Sequence, residues 1–207
     1  MGRLRRVSIV VAIVALTFVI VAATLDFQLA RAATSSRTNF AEASVARGGA
    51  LHVLSGDRIY LHAENREGLG GNLVWEMRRQ LQDVCGVTVT LLNNKPGPED
   101  FPLVMTAVRD DAAFWTPFYA SGSAKVFAKF ASNTSHITVD TGAAVFDEDN
   151  GGSKVIPLVV SLNATVENST FGLVSLPAFR KLMLRDAARG FAEYLKKAIE
   201  KAEAGGA

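Results

Sequence analysis

Residues 57–92 read DRIYLHAENREGLGGNLVWEMRRQLQDVCGVTVTLL, and three patterns within this run decide the fold class. Asp57–Ala63 predicts a strand that sets Ile59, Leu61 and Ala63 on one face. After the glycine-bearing loop Asn65–Gly71, Leu73, Met77, Leu81 and Val84 recur at spacings of four, four and three. That is the apolar stripe of a helix from about Gly71 to Cys85, and Gly86 is placed to end it in the left-handed conformation. Val87–Leu92 is β-branched and apolar, which predicts a second strand. Strand, helix and strand in succession imply a parallel, right-handed βαβ unit.

Downstream, Lys95-Pro96-Gly97-Pro98-Glu99-Asp100 is a loop, and after it the strand period takes over. Leu103–Arg109, Ala124–Ala131, Ile137–Phe146 and Val155–Val166 are four strand candidates. The last two are joined by the polar run Asp147–Gly152, which contains the hairpin signal Asn150-Gly151. Ser175 is placed as an N-cap, with Pro177 in the first turn of a final helix that runs to about Glu203. Leu182, Ala187, Phe191, Leu195 and Ala198 form its sheet-facing side, and Lys196, Lys197 and Lys201 suit the negative end of its dipole. The expected fold is α+β: a mixed sheet of a βαβ unit followed by antiparallel strands, with two helices on one face.

Upstream, Val7–Leu25 is a nineteen-residue run with no charge, glycine or proline. As a helix it is ~29 Å long, close to the ~30 Å hydrocarbon core of a bilayer. Arg3, Arg5 and Arg6 precede it and Asp26 follows, so the positive-inside rule keeps residues 1–6 in the cytoplasm and exports the rest. A cleaved signal peptide ending at Ala32 is the rival reading, because Ala30-Arg31-Ala32 is an A-x-A pattern. Arg5-Arg6 also permits a twin-arginine export signal. The apolar run is longer than an ordinary signal-peptide core, which favours an uncleaved anchor. Residues 26–50, rich in Ala, Ser, Arg and Gly, read as a tether, and residues 51–207 as the periplasmic or extracellular domain.

Charge narrows the partners. The chain holds 22 basic and 20 acidic residues, but residues 1–32 contain four arginines and one acid. The remaining 18 basic and 19 acidic residues balance, so the exported part has no electrostatic footprint for nucleic acid. Cys85 is the only cysteine, which excludes an internal disulfide and reads as a small buried thiol.

Among motifs, Asp140-Thr141-Gly142 resembles the catalytic turn of aspartic proteases, where two aspartates share one proton. A single copy requires a homodimer with one Asp140 from each subunit. The competing reading is a half-buried strand with Asp140 facing water and Gly142 at a bulge. Gly68-Leu69-Gly70-Gly71 lies where a phosphate loop would, but it lacks both the G-x-G-x-x-G spacing and a P-loop lysine, so a connector that lets the helix pack closely fits better. His52, His62 and His136 show no metal-ligand spacing, and no metal or cofactor is expected. Phe114, Trp115, Phe118 and Tyr119 cluster around Pro117. Turned inward they close one end of the core, and turned outward they form a patch for a protein partner or a lipid.

The strand-to-helix passage Arg58–Leu81 and the run Gly172–Phe179 leading into the last helix resemble small bacterial envelope lipoproteins, of the lipopolysaccharide-assembly and transporter-auxiliary kinds. The resemblance spans about Asp57–Ala202, but no lipobox cysteine is present. It implies a non-enzymatic accessory role in envelope assembly or transport, and transfers no functional residue. The alternatives from the residues themselves are a membrane-tethered protease and a small-ligand-binding domain, the latter expected to hold a deep apolar pocket near Trp115.

Overall fold

The computed structural model describes residues 2–46, 57–94, 101–132, 137–139, 144–146 and 158–204. Helix α1 (Gly2–Thr24) leads directly into strand β1 (Gln28–Ala46). Strand β2 (Arg58–Ala63), helix α2 (Leu69–Cys85) and strand β3 (Thr88–Leu91) follow, then the long strands β4 (Leu103–Thr116) and β5 (Tyr119–Ala131). Two short strands, β6 (Ile137–Val139) and β7 (Ala144–Phe146), precede β8 (Val159–Val174) and helix α3 (Leu176–Ala204).

The fold is α+β. Its main sheet has the order β1-β8-β5-β4-β2-β3. Strand β2 is parallel to both β3 and β4, while β4, β5, β8 and β1 run antiparallel in turn. Ile59 and Leu61 of β2 are fully buried, as are Met77 and Leu81 of α2 and Phe179, Met183, Phe191 and Leu195 of α3. They share one core with Val104, Val126, Phe130, Val160 and Val166 of the sheet. Burying each such large side chain contributes about 1.5–3 kcal/mol.

Both helix ends follow from local chemistry. Gly86 takes the left-handed conformation (φ 69°) at the end of α2, and its N–H donates to the Gln82 carbonyl at 3.1 Å. Ser175 caps α3 by accepting the Ala178 N–H on Oγ at 3.2 Å.

Three expectations are corrected. The segment read as a tether over residues 26–50 contains an edge strand: Gln28 pairs with Val174 and Ala46 with Val159, with register breaks at Leu29/Ala33 and Phe40/Glu42. Its Ala- and Ser-rich sequence carries no alternation of its own, so the β8 backbone ladder imposes the extended state. Phe40 also seats on α3, where a Cβ on Gly190 would stand 2.3 Å from the ring. The domain therefore begins near residue 28 rather than 51.

Second, β4 and β8 run past their expected ends to Thr116 and Val174, because β5 pairs with both along their length. Third, Ile137–Phe146 is not one strand. Its halves pair with each other, Ile137 opposite Phe146 and Val139 opposite Ala144, in a separate two-stranded sheet. Residues 147–152, expected at a hairpin tip, lie outside the described residues.

Candidate functional site

The alternation of β5 and β8 divides their side chains between two faces. On one face, Ala120, Ala124, Val126, Ala164 and Val166 lie against the helices. Gly122 shares this face, since a Cβ there would meet Sδ of Met183 at 3.1 Å and the Phe179 ring at 3.4 Å. The intervening residues Tyr119, Ser121, Ser123 and Lys125 of β5 pair with Phe171, Ser169, Glu167 and Thr165 of β8. This second face is polar over these residues and aromatic at the end where β4 turns into β5, while at its other end Leu103, Met105, Ala131 and Val159 are buried in a smaller apolar cluster.

Strand pairing arranges the second face in rows. Arg37, Glu167, Ser123 and Ala112 form one row across β1, β8, β5 and β4. Ser169, Ser121 and Phe114 form the next. Together with Ala113, Gly122 and Asn168 they line a depression of about 710 Å³. Asn168, opposite Gly122 and so on the helix-facing side, is buried, accepts the Thr170 hydroxyl at 3.1 Å, and leaves its Nδ2 without a hydrogen-bond partner. A buried amide donor of this kind is costly to leave unpaired. The side chains that line it are thus hydroxyls and one charge of each sign beside an aromatic ring, a polar chemistry rather than one for an acyl chain. Trp115, near which a deep apolar pocket is expected, does not line this depression.

The aromatic cluster divides. Trp115 turns inward against the core and its Nε1–H donates to the Val174 carbonyl at 3.1 Å. Phe114 and Phe118 turn outward, 58% and 64% exposed. Tyr119 lies between Phe114 and Phe171, at ring-centroid distances of 6.1 Å and 4.6 Å. Phe171, 61% exposed, is a member that sequence reasoning missed. Its signal was a lone phenylalanine closing the polar alternation Asn163, Thr165, Glu167, Ser169 of β8.

Helix α1 joins the domain at this same end. Phe18 stacks on Phe118 with centroids 6.3 Å apart. Past the helix end, Asp26 pairs with Lys181 of α3. The Phe27 N–H donates to Ser175 Oγ at 2.9 Å, and the Ser175 N–H donates back to the Phe27 carbonyl at 3.0 Å. Val7–Thr24, with mean hydropathy 2.8, is long and apolar enough to cross a membrane, and its side chains are mostly exposed. A membrane anchor and a signal sequence both fit this helix.

The other singled-out residues fall elsewhere. Asp140, Thr141 and Gly142 lie outside the described residues, as do His52 and His136. His62 is buried, with Nδ1 3.4 Å from the Leu92 carbonyl oxygen. The glycine loop is built for close approach. A Cβ on Gly70 would stand 2.1 Å from the Asn65 carbonyl oxygen, and one on Gly71 would stand 2.4 Å from that of Arg66. Cys85 is half-buried, and burial pushes its thiol up to about 11. Among the described residues, no group of three or more His, Cys, Asp or Glu could hold a metal ion.

A charged cluster sits between α2 and α3. Glu76 is buried, and desolvation holds its carboxyl above the usual carboxylate range despite the opposing charges of Arg79, Arg185 and Lys181. The Lys181 ammonium lies 4.4 Å from the centroid of the Trp75 ring.

No protein-family model and no curated protein matches the chain. Among solved structures, the chain is similar to a PelC variant dodecamer from Paraburkholderia phytofirmans, at TM-score 0.38 and 10% identity over 72% of this chain and 98% of that one. A second crystal form of the PelC dodecamer from the same organism gives TM-score 0.35 and 10% identity over 77% and 98%. A likeness at this level carries no argument about function.

Proposed function

We propose that the protein is a membrane-anchored, non-enzymatic accessory protein of envelope assembly or transport, which binds a partner through its exported domain. The observation that carries this reading is the attachment of α1. Its end is fastened to the domain by the Phe27–Ser175 hydrogen bonds and the Asp26–Lys181 ion pair. A binding surface on the domain is thereby held at a set height and orientation near the bilayer, which serves assembly with other envelope components better than turnover of a soluble substrate.

The arginines at positions 3, 5 and 6 support a cytoplasmic N-terminus and an exported domain. Within that domain the polar depression bounded by Arg37, Glu167, Ser121, Ser169 and Phe114 is the place for a partner. Its mixed charge and hydroxyl lining supports hydrogen-bonded recognition with one aromatic contact.

Photo-crosslinking side chains placed at Ser121 and Ser169 in cells test the reading. The expected result is a discrete adduct with one envelope component, abolished by Glu167→Lys and unchanged by substitutions on the far side of the domain. A protein that yields no adduct and always runs alone as a monomer from detergent would overturn it. A reporter fused at the C-terminus and found in the cytosol would overturn the topology.

A further inference from the structure

The geometry points to a second membrane contact besides α1: the aromatic tip of the β4–β5 hairpin is immersed in the exported leaflet of the bilayer. This inference rests on α1 being an anchor, and three observations carry it further. The first is depth. Phe18 lies six residues before Thr24, so it sits ~9 Å inside the exported end of the spanning helix. Phe118 stacks on Phe18, and a side chain at that level is below the lipid surface whenever α1 spans the membrane.

The second observation is that most of the turn's backbone polar groups have partners within the protein. Lipid admits a turn only if its polar groups are satisfied internally. At this tip Pro117 has no N–H, and its carbonyl accepts the Val174 N–H at 3.1 Å. The Phe118 carbonyl accepts the Gly172 N–H at 3.0 Å. Thr116 Oγ1 accepts the Tyr119 N–H at 3.0 Å and donates to the Tyr119 carbonyl at 2.9 Å. The hairpin thus carries partners for these groups into the apolar phase.

The third is composition. Phe118 and Phe171 are both more than 60% exposed, with Tyr119 beside Phe171 and Phe114 at the border of the polar depression. Phenylalanine is stabilised among acyl chains, and tyrosine suits the headgroup boundary, where its ring is buried and its hydroxyl wet. Water-exposed phenylalanines gathered at one end of the sheet, beyond the polar stretch Ser121–Lys125, fit a bilayer that covers them. The depression then opens just above the lipid surface.

The test uses the full chain in phosphatidylcholine vesicles, with Cys85→Ala as background and a nitroxide label on a single introduced cysteine. Phe118→Cys and Phe171→Cys report the tip, Lys125→Cys the exposed sheet face, and Val14→Cys the helix. Collision with dioxygen and with a water-soluble nickel chelate reads immersion. Labels at 118 and 171 are expected to be oxygen-accessible and nickel-excluded like that at 14, while the label at 125 is nickel-accessible. Nickel access at 118 and 171 matching that at 125, with 14 still lipid-buried, overturns the inference and leaves the anchor intact. Exclusion of both reagents at 118 and 171 would mean a protein cover and also overturns it. Nickel access at 14 defeats the anchor and the inference together.

Discussion

The two faces of β5 and β8 are built from alternate residues of the same strands, yet they answer to different constraints. Beneath the helices, Ala124, Val126, Phe130, Val160 and Val166 are buried with Phe179, Phe191 and Leu195. Away from the helices stand Ser121, Ser123, Lys125, Glu167 and Ser169, running to the exposed rings of Phe114, Phe118 and Phe171. The contrast teaches that the larger core lies on the helix side, while the other side keeps only the smaller cluster of Leu103, Met105, Ala131 and Val159 at one end and leaves its β4–β5 turn end free to present binding chemistry. It also explains why large apolar side chains at the hairpin tip are tolerated: the core does not depend on them.

Substitutions break that comparison in a defined order. Phe191→Ala removes a fully buried ring from the helix side and is expected to cost about 3–5 kcal/mol in denaturant unfolding of the detergent-solubilised protein. A loss under about 1 kcal/mol would mean that the helix face is not the core. Ser175→Ala removes the acceptor of both the Ala178 and the Phe27 N–H groups, so about 1–2 kcal/mol should be lost. It should also raise amide exchange at Phe27, where α1 meets the domain, and unchanged exchange there would disprove the staple.

Glu76→Gln sharpens the picture through pH. The folded protein holds the Glu76 proton to higher pH than the unfolded chain does, because burial disfavours the carboxylate. Stability from this group is therefore complete below the unfolded value of about 4.5 and is lost as pH rises through the folded value. The glutamine variant should have the higher Tm at pH 7, and its advantage should vanish near pH 4. A Tm gap that stays constant over that window would remove the desolvation account. The smallest effect is expected from Phe171→Ser on the open face: a stability change within about 0.5 kcal/mol in detergent. A larger loss would place Phe171 in the folding core.

Much of the helix-covered side was legible beforehand. The stripe Leu73, Met77, Leu81, the Gly86 stop and the Ser175 cap each depend on residues a few positions apart, and each stands where its spacing implies. Strand β1 was not legible. Gln28–Ala46 lacks alternation, and its extended state comes from pairing with β8, over a hundred residues away. The aromatic cluster was half legible: four members share one short run, whereas Phe171 joins only through the Tyr119 register and Phe18 only through the docking of α1. The turn Asp140–Gly142 carries no such comparison, since it lies outside the described residues.

By itself the amino-acid order determined the apolar N-terminal helix, the α+β class, the limits of α2 and α3 to within about two residues, and the core stripe Leu73, Met77 and Leu81 of α2 beside Ile59, Leu61 and Ala63 of β2. These are properties of periodicity and capping, which act over one or two turns. Tertiary structure alone decided that the supposed tether is an edge strand, that Trp115 turns inward while its neighbours turn out, and that the aromatic tip meets the helix. Those outcomes depend on hydrogen bonds and ring contacts between segments distant along the chain, which no local pattern encodes.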